Sequence, residues 1–228
     1  MSAFGEASGP SLVNDEGADG DGIAGRDSAP ASRVRALSWI VVAIGCAGLI
    51  FQFMQVEDHT PMFLYFTMWS AILTTVIWPF VDTTNSRVLR IAAQAGAVGN
   101  LMSGIVYWAV LFPPNGPGKY LLTILANVTL HAVLPVAVLV RLHANPRPET
   151  LRAREEFATI IYPVLYLVTS VVLDSVFGIP SPYGFLRLHT DANVWLNSMA
   201  LLVVWCVLAA ALHGTTHFRQ KHPRHAAP

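Results

Sequence analysis

The feature that most constrains this chain is the recurrence of apolar stretches about as long as a bilayer is thick. Six run over residues 36–56, 62–81, 90–112, 119–141, 157–178 and 194–215. Each is near the ~20 residues a helix needs to cross a ~30 Å hydrocarbon core. The separators are short: "EDHTP", "DTTNSR", "PPNGPG", "HANPRPETLRAREE" and "IPSPYGFLRLHTDA". Short links predict that each helix packs antiparallel to the next. Composition agrees: of 228 residues 54% are apolar and 12% charged, with mean hydropathy +0.50, whereas a soluble domain is about one quarter charged. The expected fold is all-α, a polytopic bundle of six transmembrane helices over 35–217.

The flanks differ from this body. Residues 1–34 are rich in Gly, Ser, Ala and Asp with no apolar period, and such a segment cannot bury enough surface to order itself. A disordered tail is expected, and not a secretory signal, because it is acidic and has no apolar h-region. Residues 218–228 read as a basic cytoplasmic tail. With the N-terminus inside, Arg26, Arg33, Arg35, Arg87, Arg90, Arg141, Arg147, Arg152, Arg154, Arg219, Lys221 and Arg224 fall on the cytoplasmic side. Only Lys119 and Arg187 fall outside. Basic residues favour the cytoplasmic face, so both termini are expected inside a multi-pass protein of the cell membrane.

Several classes drop out. Net charge is zero, so no basic field suggests a nucleic-acid partner. Cys46 and Cys206 both lie in apolar runs, which is not a disulfide framework. "HGTTH" at the end of the last stretch has Gly214 where a zinc-protease motif needs Glu. His131 is the one deep histidine, so a haem held between two helices lacks its second ligand. No phosphate-binding Gly loop appears either, and neither a metal nor a cofactor is expected. The sequence carries no signal for an oligomeric state.

Polar groups inside a membrane are costly, and each asks for a reason. The set is Thr67, Ser70 and Thr74; Gln94 and Asn100; Asn127 and His131; Tyr166, Ser170 and Asp174; and Asn197. At ~1.5 Å per residue, Thr67 lies roughly 8 Å below the outer surface, Asn127 about 10 Å and His131 about 16 Å, while Asp174 and Asn197 lie about 5 Å below it. Asn100 is near mid-depth. The polar set is thus concentrated in the outer half. Asn127 and His131 are four apart and share a helix face, as do Tyr166, Ser170 and Asp174. Pro135, four after His131, has no N–H for the His131 carbonyl, so that carbonyl is freed and a kink is expected. Ala92, Gly96, Gly99 and Ser103 form a small-residue stripe expected to serve as a helix contact face.

Three readings of the set remain open on these grounds. It can be catalytic. It can serve a small transporter or proton-coupled channel using His131 and Asp174. Or it can be interhelical glue in a structural membrane protein, with threonines bonding to their own carbonyls.

The segments "YFTMWSAILTTVIWPF", "GNLMSGIVYWAVL", "LANVTLHAVLPVAVL", "YPVLYLVTSVVLDSVFG" and "PYGFL" tilt the choice. Their order and spacing over about residues 37–215 resemble the bacterial relatives of the androgen-induced protein family, which includes the androgen-dependent regulator of tissue factor pathway inhibitor. The resemblance implies a multi-span hydrolase that cleaves fatty-acid esters of hydroxy fatty acids, with a threonine nucleophile and a histidine. By motif, the threonine of "YFT" is Thr67 and the histidine of "TLHAVLP" is His131. The bacterial motif commonly has Asn where Ala71 stands. The mechanism this implies has neutral His131 take the Thr67 proton from within about 3 Å. By position, Asn127, one turn above, would donate to the oxyanion or the imidazole, while a role for Asp174 in orienting the ring is opposed by its ~10 Å difference in depth from His131. Asn100, Ser70, Tyr166, Ser170 and Asn197 would support the site or the substrate, a membrane lipid or acyl ester.

Overall fold

A computed structural model describes residues 28–55, 61–84, 86–112, 120–144, 151, 153–187 and 192–221. Among these, all regular structure is helical. Helix α1 spans Ser28–Gln55, α2 Phe66–Val81 and α3 Arg87–Val106, the last running on into a π-helical turn, Tyr107–Leu111. Helix α4 covers Leu121–Ala144 and is interrupted by a second π-helical turn at Thr129–Val133. A short α5, Ala153–Ala158, leads into α6, Ile161–Phe177, and α7 is Val194–Lys221.

Two boundaries differ from expectation. Residues 28–34, assigned above to a disordered tail, are helical. Pro30 stands in the first turn, where its missing N–H costs no intrahelical bond, so the helix starts ahead of the apolar run. Helix α7 runs on to Lys221, because no proline interrupts it before Pro223. Residues 1–27 and 222–228, and with them the rest of both expected tails, lie outside the described residues, as do Lys119, Arg147 and Arg152.

Among the described residues, four helices are long and apolar enough to cross a membrane: Ser32–Gln55, Leu121–Ala144, Arg154–Phe177 and Val194–Thr215. The second expected stretch forms a shorter apolar helix, Phe66–Val81, and α3 is not among the four. The outward faces of the long helices carry exposed Ile50, Val136, Val168 and Val207. An apolar exterior on this scale fits a hydrocarbon solvent and not water.

Helix α3 is the centre of the bundle. Its Ala93 and Ala97 join one core with Val41, Met68, Trp78, Leu134 and Val138. Its Ala95, Val98 and Met102 join a second with Phe66, Tyr166, Trp205 and Leu212. A helix packed on several sides has room only for small side chains where backbones approach. A Cβ at Gly96 would lie 2.7 Å from Thr74 Oγ1, and one at Gly99 2.5 Å from Ser70 Oγ. The small-residue stripe is therefore where α2 and α3 meet.

Polar contacts show which helix ends lie together. At one end, Arg141 of α4 donates to Asp82, which follows α2, and its Nε donates to Ser38 of α1 at 2.6 Å. Arg87 pairs with Glu155 at 2.6 Å, and Glu156 meets His213 Nδ1 at 2.7 Å. These residues mark the end of α2, the start of α3, the end of α4, the start of α5 and a late turn of α7. Consecutive long helices therefore alternate in direction. Arg141, counted above among the basic residues of the cytoplasmic side, is buried, with its guanidinium 5.4 Å from the Trp78 ring.

Candidate functional site

The opposite end of α2 and α3 holds the other polar concentration. Thr67 sits in the first turn of α2 and Ser103 near the end of α3. Their hydroxyls are hydrogen-bonded at 2.8 Å, and Ser103 Oγ lies 3.1 Å from His131 Nδ1. The result is a chain of hydroxyl, hydroxyl and imidazole across three helices. Thr67 and His131 make no hydrogen bond to each other, so the direct pair expected above is replaced by a bridged one. The reason is the packing of α3 between α2 and α4: its Ser103 occupies the gap that a direct contact would close.

How His131 comes to face inward follows from local backbone chemistry. Pro135 gives no N–H to the His131 carbonyl, and the helix widens into the π-turn Thr129–Val133. The released carbonyl accepts from Trp108 Nε1 at 3.0 Å. Trp108 belongs to the other π-turn, as does Tyr107, whose ring stacks on His131 with centroids 4.1 Å apart and planes 5° from parallel. Single π-turns recur at functional sites because the extra residue re-aims side chains. Here two of them meet face to face. Gly104 makes the approach possible, since a Cβ there would stand 2.8 Å from the His131 carbonyl oxygen.

Thr67, Ser103 and His131 line one pocket together. Its remaining walls are largely apolar and include Val106, Leu111, Leu167, Leu201 and Leu202. Tyr183, Phe185 and Leu186, from the segment joining α6 to α7, line it too. The Tyr183 hydroxyl is hydrogen-bonded to Thr67, and burial pushes its phenol up to about 12. Tyr183 therefore stays protonated across ordinary pH and acts toward Thr67 as a neutral phenol.

The other sequence candidates are dispersed. Tyr166 lines this pocket and donates to the Leu64 carbonyl at 2.7 Å. It is also a wall of a second, smaller pocket, where Ser170 lies with Trp69 and Pro180. Ser70 is fully buried and bonded to Tyr162 OH at 3.1 Å. Asn100 donates to Thr74 Oγ1 at 2.7 Å, Gly96 O at 2.8 Å and Ser70 O at 3.2 Å, which ties α2 to α3 away from the pocket. Asn197 donates to Phe185 O at 2.8 Å and so anchors the pocket's roofing segment.

Asn127 is half-buried and absent from the pocket lining, because the π-turn that starts at Thr129 breaks its four-residue register with His131. Asp174 is buried on α6 and lines neither pocket. Ala71, where the resembling motif carries Asn, is fully buried in the first core. Among the described residues, no three His, Cys, Asp or Glu side chains gather as metal ligands would.

Three participants were not in the sequence candidate set. Ser103 had been read only as part of the small-residue stripe, and its spacing from Asn100 gave no hint that it faced a histidine. Tyr183 lies in a loop, beyond the reach of helical periodicity. For Tyr107 the available signal was its aromatic neighbour Trp108 and the proline four after His131. No family model, curated protein or solved structure matches the chain.

Proposed function

We propose that this protein is an integral membrane hydrolase that cleaves a lipid-like acyl ester, such as a fatty-acid ester of a hydroxy fatty acid, with Thr67 as nucleophile and His131 as base. The observation that carries this reading is the Thr67–Ser103–His131 chain opening into an apolar pocket. A threonine hydroxyl is a weak nucleophile until a base takes its proton, and His131 is the base at the other end of that chain. Thr67 also occupies the first turn of α2, where the positive end of the helix dipole favours a developing alkoxide. The apolar walls suit an acyl chain that enters from lipid without crossing water.

The same reading sets the chain across the membrane six times with both termini cytoplasmic. Its support is the distribution of Lys and Arg and the alternation of helix directions. It places the pocket toward the outer face and the ion-paired cluster at Arg141 toward the inner one. The cell membrane is the proposed location.

The test is hydrolysis of a long-chain acyl ester by purified protein in detergent. Thr67→Ala and His131→Ala should each fall to background while eluting as the parent does. Full turnover in either variant would remove that residue from the chemistry.

A further inference from the structure

Resting on the hydrolase reading, we infer that Ser103 is a third catalytic group, the carrier of the proton between Thr67 and His131. Thr67 and His131 share no hydrogen bond, and the path between them runs through Ser103 Oγ at 2.8 and 3.1 Å. A serine hydroxyl donates one hydrogen bond and accepts others, so it can receive a proton from one neighbour while passing its own to the next. Ser103 is 5% exposed and lines the pocket, so the transfer is held in a largely buried geometry at the pocket wall. Its neighbour Gly104 lets the α3 backbone touch the His131 carbonyl, which keeps the two ends of the transfer in register.

Ser103 is one bond nearer the imidazole than Thr67, which raises the question of which hydroxyl attacks. Charge stabilisation favours Thr67. It lies in the first turn of α2, at the positive end of the helix dipole. It also bonds the Tyr183 hydroxyl. Ser103 lies well inside a helix that continues to Leu111, and has no such support for an alkoxide.

The steps balance as follows. As the Thr67 oxygen bonds to the ester carbonyl carbon, its proton moves to Ser103 Oγ and the Ser103 proton moves to His131 Nδ1. The ester C–O bond breaks, its electron pair leaves on the alcohol oxygen, and that oxygen takes a proton returned from His131 through Ser103. Water then attacks the acyl-threonine, losing a proton along the same path. The Thr67 oxygen leaves and is reprotonated. The net change is ester plus water to acid plus alcohol.

The experiment uses the full chain purified in detergent and an alkyl fluorophosphonate probe, with the labelled residue mapped by peptide mass spectrometry. Wild type should carry the label on Thr67. Ser103→Ala should label about 100-fold more slowly, the low end of what a positioned proton-transfer group contributes. Ser103→Thr should recover most of the rate by restoring a hydroxyl, and Ser175→Ala, an exposed change on α6, should label as wild type. The wild-type rate in mixed H2O and D2O should vary quadratically with deuterium content, as two protons moving together require.

Label on Ser103 itself that persists in Thr67→Ala would make Ser103 the nucleophile and overturn the relay. Ser103→Ala within twofold of wild type would overturn it too. If that variant aggregates, a linear isotope dependence in wild type does so. No label anywhere in wild type, under conditions that label a reference serine hydrolase, would instead take down the hydrolase reading.

Discussion

Gly104→Ala is the sharpest probe of how the bundle holds its site, because it adds one methyl group where two backbones touch. The new Cβ would stand 2.8 Å from the His131 carbonyl oxygen and 3.3 Å from Pro135 Cγ. A carbon and a carbonyl oxygen settle at about 3.3 Å or more, so α3 and α4 must part by about 0.5 Å at this point. Backbone, not a flexible side-chain tip, has to move. The Ser103–His131 separation, now 3.1 Å, would open to about 3.6 Å, which no longer counts as a hydrogen bond. A misplacement of about 1 Å can cost a hundredfold in rate, so half of that should cost about tenfold. Overpacking of this kind destabilises by about 1–3 kcal/mol. The assay is acyl-ester hydrolysis and thermal unfolding measured on the same preparation, with Gly214→Ala as control, since a Cβ there meets nothing within 4 Å. Wild-type turnover by a correctly folded Gly104→Ala protein would refute the claim that this approach sets the distance between Ser103 and the imidazole.

Other changes separate the site from the scaffold. Pro135→Ala restores an N–H that competes with Trp108 for the His131 carbonyl; it should close the π-turn, re-aim His131 and lower hydrolysis about tenfold or more. Because proline inside a helix costs about 3 kcal/mol or more, the same variant should melt at or above the wild-type temperature. Arg141→Ala leaves Asp82 without its buried partner and should destabilise the fold by about 3–5 kcal/mol, whereas Arg141→Met with Asp82→Leu should recover most of that loss in a thermal melt. Tyr183→Phe removes a hydrogen bond to Thr67 and should lower kcat about tenfold to a hundredfold with KM little changed. For stability, the folded-state pKa of Tyr183 is raised to about 12 from an unfolded value of 10.0. Its contribution is therefore complete below pH 10 and is lost as pH rises toward 12. Thermal midpoints followed from pH 9 to 12 should show that extra decline in wild type and not in Tyr183→Phe.

Element positions were legible because hydrocarbon imposes a length and an apolarity on each crossing, and both leave their mark in the order of residues. Pro135 was legible for a related reason: a missing N–H has one consequence, a carbonyl four residues earlier without its partner, and Trp108 supplies the replacement. Depth arithmetic put Thr67 and His131 in the same half of the bundle, and the structure brings both to one pocket. What it could not specify was azimuth. Asn127 and His131 are four apart, yet a π-turn between them spoils the shared face. Ser103 and Asn100 are three apart on one helix and both bond α2, but only Ser103 also reaches across to α4.

Arg141 illustrates the same limit in electrostatic terms. Counted as a charge, it belongs with the other basic residues that set orientation. Placed in three dimensions, it is buried between Asp82, Ser38 and Trp78. A buried pair of this kind is weak evidence for net stability, because desolvation offsets most of the attraction. Its effect is on register: α4 cannot slide or turn along α1 and α2 without leaving a charge unpaired. The imidazole lies ten residues, or about 15 Å along the helix, from Arg141. One end of α4 is thereby held by charge and its middle by the Gly104 contact. A histidine placed by two constraints on one helix has little freedom in rotation or in height, and a proton path of two consecutive hydrogen bonds requires both to be fixed.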